Sequence, residues 1–267
     1  MLRFLFVILP LCSLSNTAYT QSDQASVTVP DPFLLSKETL SGVGLRKIDL
    51  KDQPDKVIHQ KRLVRGDELS VYVVSSQSWT NEIEQYSFDE YVFLLHGMAV
   101  ARPASGNAQE FYTGQHFFAP KGFKGEWEVV AGSNLHYELS VISTHRSDSS
   151  QGAVTDFALI EPEQLSGHHI VFDSEGLYEN IMAAGSELTV SICAEQLREV
   201  AITNPLPESI LYIQAGQLTL DNKESTTGST TYHTGDFVFI PKGYTGQWKS
   251  EGLDLLKFVK VTASSTN

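Results

Sequence analysis

The sequence predicts an all-β fold built twice in tandem, and three observations predict it. First, short runs rich in β-branched and aromatic residues recur along the chain: "LSVYVV", "EYVFLL", "QHFFAP", "EWEVV", "LHYELSVI", "LTVSIC", "SILYIQ" and "FVFIP". Gly, Pro, Asn and Ser separate them, which is how strands and turns read. Second, few segments sustain a helical period; "SKETLSG" and "EPEQLSG" each suit a single helical turn. Third, "GQHFFAPKGFKGEW" at 114–127 returns as "GDFVFIPKGYTGQW" at 235–248. A repeat this long is two copies of a whole domain and far too long for a solenoid unit. Many short strands per copy suit a sandwich, a jelly roll or a small barrel.

Taken in chain order, the first stretch is "MLRFLFVILPLCSLSNTAYTQS": one Arg3, an apolar run from Phe4 to Leu11, then small and polar residues. That layout predicts a signal peptide over residues 1–21, cleaved between Ala18 and Ser22, and a secreted or periplasmic protein. The apolar run is too short for a membrane span, so no membrane contact is expected after cleavage. Of the two cysteines, Cys12 leaves with the signal. Cys193 then has no disulfide partner and reads as a small buried hydrophobe.

The first copy spans 25–145 and the second 152–263, joined by the polar linker "THRSDSSQG". Seven positions of the long motif are identical, from Gly114 and Gly235 to Trp127 and Trp248. Upstream, "GDELSVYVV" from Gly66 mirrors "GSELTVSIC" from Gly185, and Gly97 aligns with Gly216. Within the motif, strand "GDFVFI" stops at Pro241, which removes a ladder donor. "IPKG" reads as a type I turn with Pro241 second and Gly243 fourth. The closing "TASSTN" reads as a frayed tail.

Composition bounds the partners. Hydrophobic residues make up 41%, enough for a packed core. The formal net charge of −13 repels phosphate backbones, so nucleic acid is not an expected partner. No Gly-rich phosphate loop, Gly-x-Ser-x-Gly elbow, HExxH or CxxC occurs.

A strand opening Gly-Asp, a Pro-x-Gly turn, a return strand and an earlier Glu-x6-Gly element together resemble the cupin superfamily. Both copies carry them. The resemblance implies two tandem jelly-roll (double-stranded β-helix, cupin) barrels after the signal peptide, paired within the chain or as a homodimer. The Pro-Lys-Gly-aromatic-x-Gly-x-Trp ending resembles the branch named for ureidoglycine aminohydrolase. That likeness implies a metal-dependent aminohydrolase or lyase acting on a small nitrogenous compound.

The histidines by which metal-binding cupins hold their ion are missing here. Counting back from Gly97 puts Glu90 on the glutamate slot, with Glu84 and Tyr86 on the histidine slots; the last slot is Gly125. The second copy offers Ser209, Pro205, Thr203 and Gly246. A first-row metal needs about four converging N or O donors, so no metal and no other cofactor is expected.

Alternation places Gly125 with Trp127, and Gly246 with Trp248, on one face of a strand. If that face points inward, each indole either plugs the space left by a histidine or walls a pocket for a planar or sugar-like ligand. Glu84, Tyr86 and Glu90 alternate along one strand with Phe88, Val92 and Leu94, a mixed face that suits a cavity. The expected ligand-binding residues are therefore Glu84, Tyr86, Glu90, Trp127 and Trp248, around a small polar or aromatic molecule. Against this, Glu84 also suits a solvated loop, and Glu90 a pairing with a basic side chain. His116 aligns with Phe237 and so reads as structural, while Glu126 and Gln247 face away from the interior. His168 and His169, being adjacent, point to opposite faces if the chain is extended, which is poor geometry for joint chelation. No catalytic residue is assignable from the sequence. An enzyme and a structural or protein-interaction module stand as the rival classes.

Overall fold

The computed structural model describes residues 31–48, 56–104, 106–131, 135–146, 156–166, 170–221 and 228–264. The expected signal peptide with Cys12, residues 147–152 of the linker and the His168–His169 pair lie outside the described residues. The first copy holds β1 (Phe33–Leu34), the short helix α1 (Lys37–Leu40), β2 (Arg46–Ile48), β3 (Ile58–Arg65), β4 (Leu69–Ser76) and β5 (Trp79–Ile83). It continues with β6 (Glu90–His96), β7 (Met98–Pro103), β8 (Gln109–Tyr112), β9 (His116–Ala119), β10 (Gly125–Val130) and β11 (His136–Ser143). The second holds β12 (Ala158–Ile160), a 3-10 turn (Pro162–Ser166), β13 (Leu177–Ala184), β14 (Leu188–Gln196), β15 (Glu199–Ile202) and β16 (Ser209–Ala215). It ends with β17 (Gln217–Asp221), β18 (Thr230–His233), β19 (Phe237–Ile240), β20 (Gly246–Glu251) and β21 (Leu255–Ala263).

Each strand read from the sequence coincides with one of these to within a residue or two at either end. Both segments expected to make a helical turn do so.

The strands form four antiparallel sheets, two per copy. In the first copy β12-β9-β6-β11-β4-β3-β2 faces β5-β10-β7-β8; in the second β1-β19-β16-β21-β14-β13 faces β15-β20-β17-β18. Each pair of sheets encloses its own core. Val92, Leu94, Phe117, Trp127 and Val129 lie inside the first barrel, and Leu211, Ile213, Tyr244, Trp248 and Phe258 inside the second. The two larger sheets also press their outer faces together. Leu69, Val71, Tyr91, Leu139 and Val141 meet Leu188, Val190, Ile192, Val259 and Val261 in a third, central core. On β4 and β14 the central core takes alternate residues, Leu69, Val71 and Val73 on one and Leu188, Val190 and Ile192 on the other, while the residues between them face the barrel interiors.

The copies also exchange arms. β1 pairs with β19 of the second copy, Phe33 against Phe239. Reciprocally, β12 pairs with β9 of the first, Ala158 against Phe118. The sequence carries this symmetry in "DPFLLSKETLSG" at 31–42 and "DFALIEPEQLSG" at 156–167, which share Asp, Leu, Glu, Leu, Ser and Gly in register. Leu35, one residue beyond the β1 pairing, and Ile160, the last residue of the β12 pairing, are both buried in the central core.

Two details differ from the sequence reading. In the Pro-Lys-Gly turn the closing bond runs from Phe123 N to Pro120 O at 3.2 Å, and from Tyr244 N to Pro241 O at 3.2 Å. Proline is thus first and glycine third, where φ values of +89° at Gly122 and +85° at Gly243 suit glycine. The expected tail "TASSTN" begins inside β21, which runs to Ala263, and Ser264 N still donates to Glu187 O.

Candidate functional site

The site is built on β6, β11, β5 and β10, between the sheets of the first barrel. The inward face of β11 carries His136, Glu138 and Ser140, and the inward face of β6 begins with Glu90. Glu90 is 5% exposed. Its carboxyl accepts hydrogen bonds from the Tyr86 and Ser140 hydroxyls. Burial, with the nearby Glu138 carboxylate adding to it, pushes the Glu90 carboxyl up to about 7. The Tyr86 phenol is pushed well above its ordinary value by the same burial and by Glu90 itself. His136 Nε2 lies 2.8 Å from Glu138 Oε2. Among the described residues Glu90 pairs with no basic side chain; its hydrogen-bond partners there are two hydroxyls.

Of the five expected binding residues, the structure joins Tyr86 and Glu90 and places Trp127 beside them. The Tyr86 and Trp127 ring centroids are 5.5 Å apart. Trp127 is wedged among Trp79, Tyr86, Phe117 and Phe157, and its indole N–H is buried with no acceptor among the described residues. Trp248 occupies the equivalent place in the second barrel, where its Nε1 donates to Glu195 Oε1 at 3.0 Å.

Glu84 does not join the cluster. The reading of one continuous strand through 84, 86 and 90 fails, because β5 ends at Ile83 and β6 begins at Glu90. The intervening loop turns Glu84 to solvent while Tyr86 and Phe88 point inward. Tyr86 is pinned there by backbone bonds, its N to Phe123 O and its O from Gly122 N.

Sequence reasoning missed Ser140, Glu138 and Asn81, which sit in ordinary strand contexts. The strand register supplies the signal. Asn81 lies directly across from Trp127 in the β5–β10 ladder, so two inward positions meet. Lys56 Nζ donates to Asn81 Oδ1 at 2.5 Å and lies 4.2 Å above the Trp79 ring. Burial lowers its ammonium to about 8.

The remaining sequence candidates are structural. His116 faces the central core, its Nδ1 2.6 Å from the Tyr91 hydroxyl, and burial lowers its imidazole to about 3. Glu126 pairs with Arg102 at 2.6 Å on the outside of the barrel. Cys193 is buried, with its thiol pushed up to about 12.

The donor set does not fit a cupin-type metal. A Cβ on Gly125 would stand 2.1 Å from Arg102 O, and one on Gly246 2.2 Å from Asp221 O. A neighbouring backbone carbonyl therefore closes the slot where a histidine ligand would sit. Both oxygens of Glu90 are engaged by hydroxyls, and Glu84 points to solvent. Among the described residues no group of three His, Cys, Asp or Glu side chains is placed to hold an ion.

Beside the site runs the junction between the barrels. Asp89, next to Glu90, accepts from Glu187 N at 2.5 Å, Leu188 N at 3.2 Å and Lys121 N at 2.7 Å. Its counterpart Glu208 accepts from Asp67 N, Glu68 N and Leu69 N at 2.9, 2.9 and 2.6 Å. Each copy thus sets a carboxylate into the amides of the other copy's hairpin turn. Reciprocal ion pairs flank them, Lys121 with Glu187 and Lys242 with Glu68. Arg146 bonds Glu187 and lies over the Phe88 ring at 4.6 Å, at the edge of the Tyr86 loop.

Residues 71–137 match the model of the EutQ-like cupin domain. No curated protein is significantly similar in sequence. Among solved structures, a protein of unknown function from Pseudomonas syringae pv. tomato, in the DUF861 family, superposes with a TM-score of 0.61 at 15% identity, covering 87% of this chain and 100% of that one. The protein YlbA from E. coli, also DUF861, gives 0.55 at 15% identity, covering 92% and 96%. A cupin 2 conserved barrel domain protein from Leptotrichia buccalis gives 0.55 at 7% identity, covering 91% and 100%. At such identities the likeness establishes the cupin fold.

Proposed function

We propose that this pair of cupin barrels is an exported, metal-independent protein that binds a small polar or aromatic molecule inside the first barrel. The observation that carries the reading is the contrast between the two interiors. The first holds Glu90, Tyr86, Ser140, Glu138, His136 and Asn81 behind apolar walls. Strand register puts Ser209, Phe258, Leu256 and Val200 at the places of Glu90, Glu138, His136 and Asn81 in the second. Buried polar groups cost stability, so a core that needed packing alone has no use for them. The second barrel then serves as the partner that braces the first, and a homodimer of such pairs is part of the same proposal.

A thermal-shift screen against small metabolites tests it. A specific ligand raises the melting temperature of the native protein, and Glu90→Gln with Tyr86→Phe reduces the shift. A broad screen with no hit favours the interaction module instead. Protein purified without chelator should carry under about 0.1 equivalents of manganese, zinc or iron, as the closed Gly125 slot requires. Near one equivalent would favour the metal-dependent aminohydrolase or lyase that the ureidoglycine aminohydrolase resemblance implies. One observation favours an enzyme in its own right: a buried carboxyl near 7 is poised to give or take a proton at neutral pH. Turnover of a bound metabolite that is lost in Glu90→Gln would establish that reading.

A further inference from the structure

We infer that Lys56 and Asn81 join covalently in the folded protein, the lysine amine replacing the side-chain amide nitrogen of Asn81. The isopeptide bond so formed staples the two sheets of the first barrel. This goes beyond the binding reading and holds whether or not the barrel takes a ligand.

Geometry carries the inference. Lys56 stands two residues before β3, a strand of the large sheet, and Asn81 lies on β5, the edge strand of the small one. Lys56 Nζ is 2.5 Å from Asn81 Oδ1. With a carbonyl bond of about 1.2 Å, Nζ is at most about 3.7 Å from the Asn81 Cγ that it attacks. Reacting atoms held at about 3–3.5 Å, in place of a random encounter, gain many powers of ten in rate. Nζ sits 4.2 Å above the Trp79 ring, which is anchored by its own 3.1 Å bond to Ser76 Oγ, and Trp127 is the cross-strand neighbour of Asn81. Two indoles thus wall the pair, and Asn81 is only 9% exposed, so water competes poorly for its carbonyl. Burial lowers the Lys56 ammonium to about 8, which raises the share of neutral, nucleophilic amine. Asn81 Nδ2 has no acceptor among the described residues, so its departure breaks no hydrogen bond there.

The atoms balance within the pair. The neutral amine gives its electron pair to Asn81 Cγ, and the Cγ–Nδ2 bond breaks. The proton released by Nζ passes to Nδ2, ammonia leaves, and Oδ1 remains a carbonyl oxygen. No oxidant, reductant or cofactor enters. The second copy shows that the fold itself does not need the pair. Val200 stands opposite Trp248 as Asn81 stands opposite Trp127. Leu177 pairs with Glu195 as Ile58 pairs with Ser76, and two residues before them stand Glu175 and Lys56. Both partners are therefore present in one copy and both replaced in the other, as the two halves of one device would be. Among the described residues no disulfide offers a staple instead, because the cysteine there, Cys193, is free and buried.

Intact-mass spectrometry of the purified native protein, its N-terminus fixed by peptide mapping, tests this directly. After incubation at about pH 9, where much of the Lys56 amine is neutral, the parent should weigh one ammonia less than its sequence. A tryptic digest should then contain a branched peptide joining Lys56 to Asn81, because trypsin does not cut after an acylated lysine. Lys56→Arg, and Asn81→Val, which borrows the residue of the second barrel, should each keep the full mass of its own sequence. Should either variant fail to fold, the branched peptide of the parent decides alone. A parent of full mass with no branched peptide overturns the inference. So does a loss of ammonia that persists in Lys56→Arg, since it would belong to another amide of the chain.

Discussion

Asp89 and Glu90 are consecutive acids with opposite surroundings. Backbone amides of the second copy hold the Asp89 carboxylate, whereas hydroxyls and apolar walls hold Glu90. The Glu90 carboxyl sits near 7 when folded and near 4.5 when not, so between these values the folded protein keeps a proton that the unfolded chain has released. Stability is therefore highest below this window and falls as pH rises through it, by about 3 kcal/mol at most. Glu90→Gln should remove that fall, so the difference in melting temperature between parent and variant should widen from pH 5 to pH 8 in favour of Gln. Glu208→Ala leaves three hairpin amides of the first copy without their acceptor and should cost about 3 kcal/mol in urea unfolding. Glu90 and Tyr86 were legible because a glycine fixed the count. Glu84 was misplaced because alternation was carried through a loop that has no pleat. Asn81 and Ser140 gain meaning only when register brings a second strand opposite them, which spacing along one chain does not contain.

At the scale of elements, strands announce themselves by composition while their partners do not. β1 and β12 are short, and their residues pair with the other copy, so local pattern gave no reason to separate them from the flanking segments. The arm repeat at 31–42 and 156–167 was present all along in shared Asp, Leu, Glu, Leu, Ser and Gly residues. Each arm ends in a buried anchor, Leu35 or Ile160, both 1% exposed. Leu35→Ala should cost about 2–4 kcal/mol by opening a cavity in the central core. Phe33 is 40% exposed, so Phe33→Ala should cost well under half of that. Urea denaturation of the two variants side by side checks the ranking. The turn after β9 and β19 illustrates a different limit: Pro-Lys-Gly identifies a turn, but which residue comes first depends on a hydrogen bond that composition leaves open.

For the whole molecule, two interiors and one shared core make the barrels a single cooperative body. Calorimetry should show one unfolding transition rather than two, because the central core is made of residues from both copies. Cutting the chain within 147–155 and co-expressing the halves should give a one-to-one complex, since each half bears a strand that belongs to the other's sheet. Either half alone should aggregate, with a bare apolar sheet face turned to water. The crossing of β1 and β12 also bears on descent. A forerunner with a single copy would have had no sheet of its own on which to lay its arm, so it must have lent that arm to a twin. Duplication and fusion then made the loan internal and left the two interiors free to diverge in the polar residues they carry.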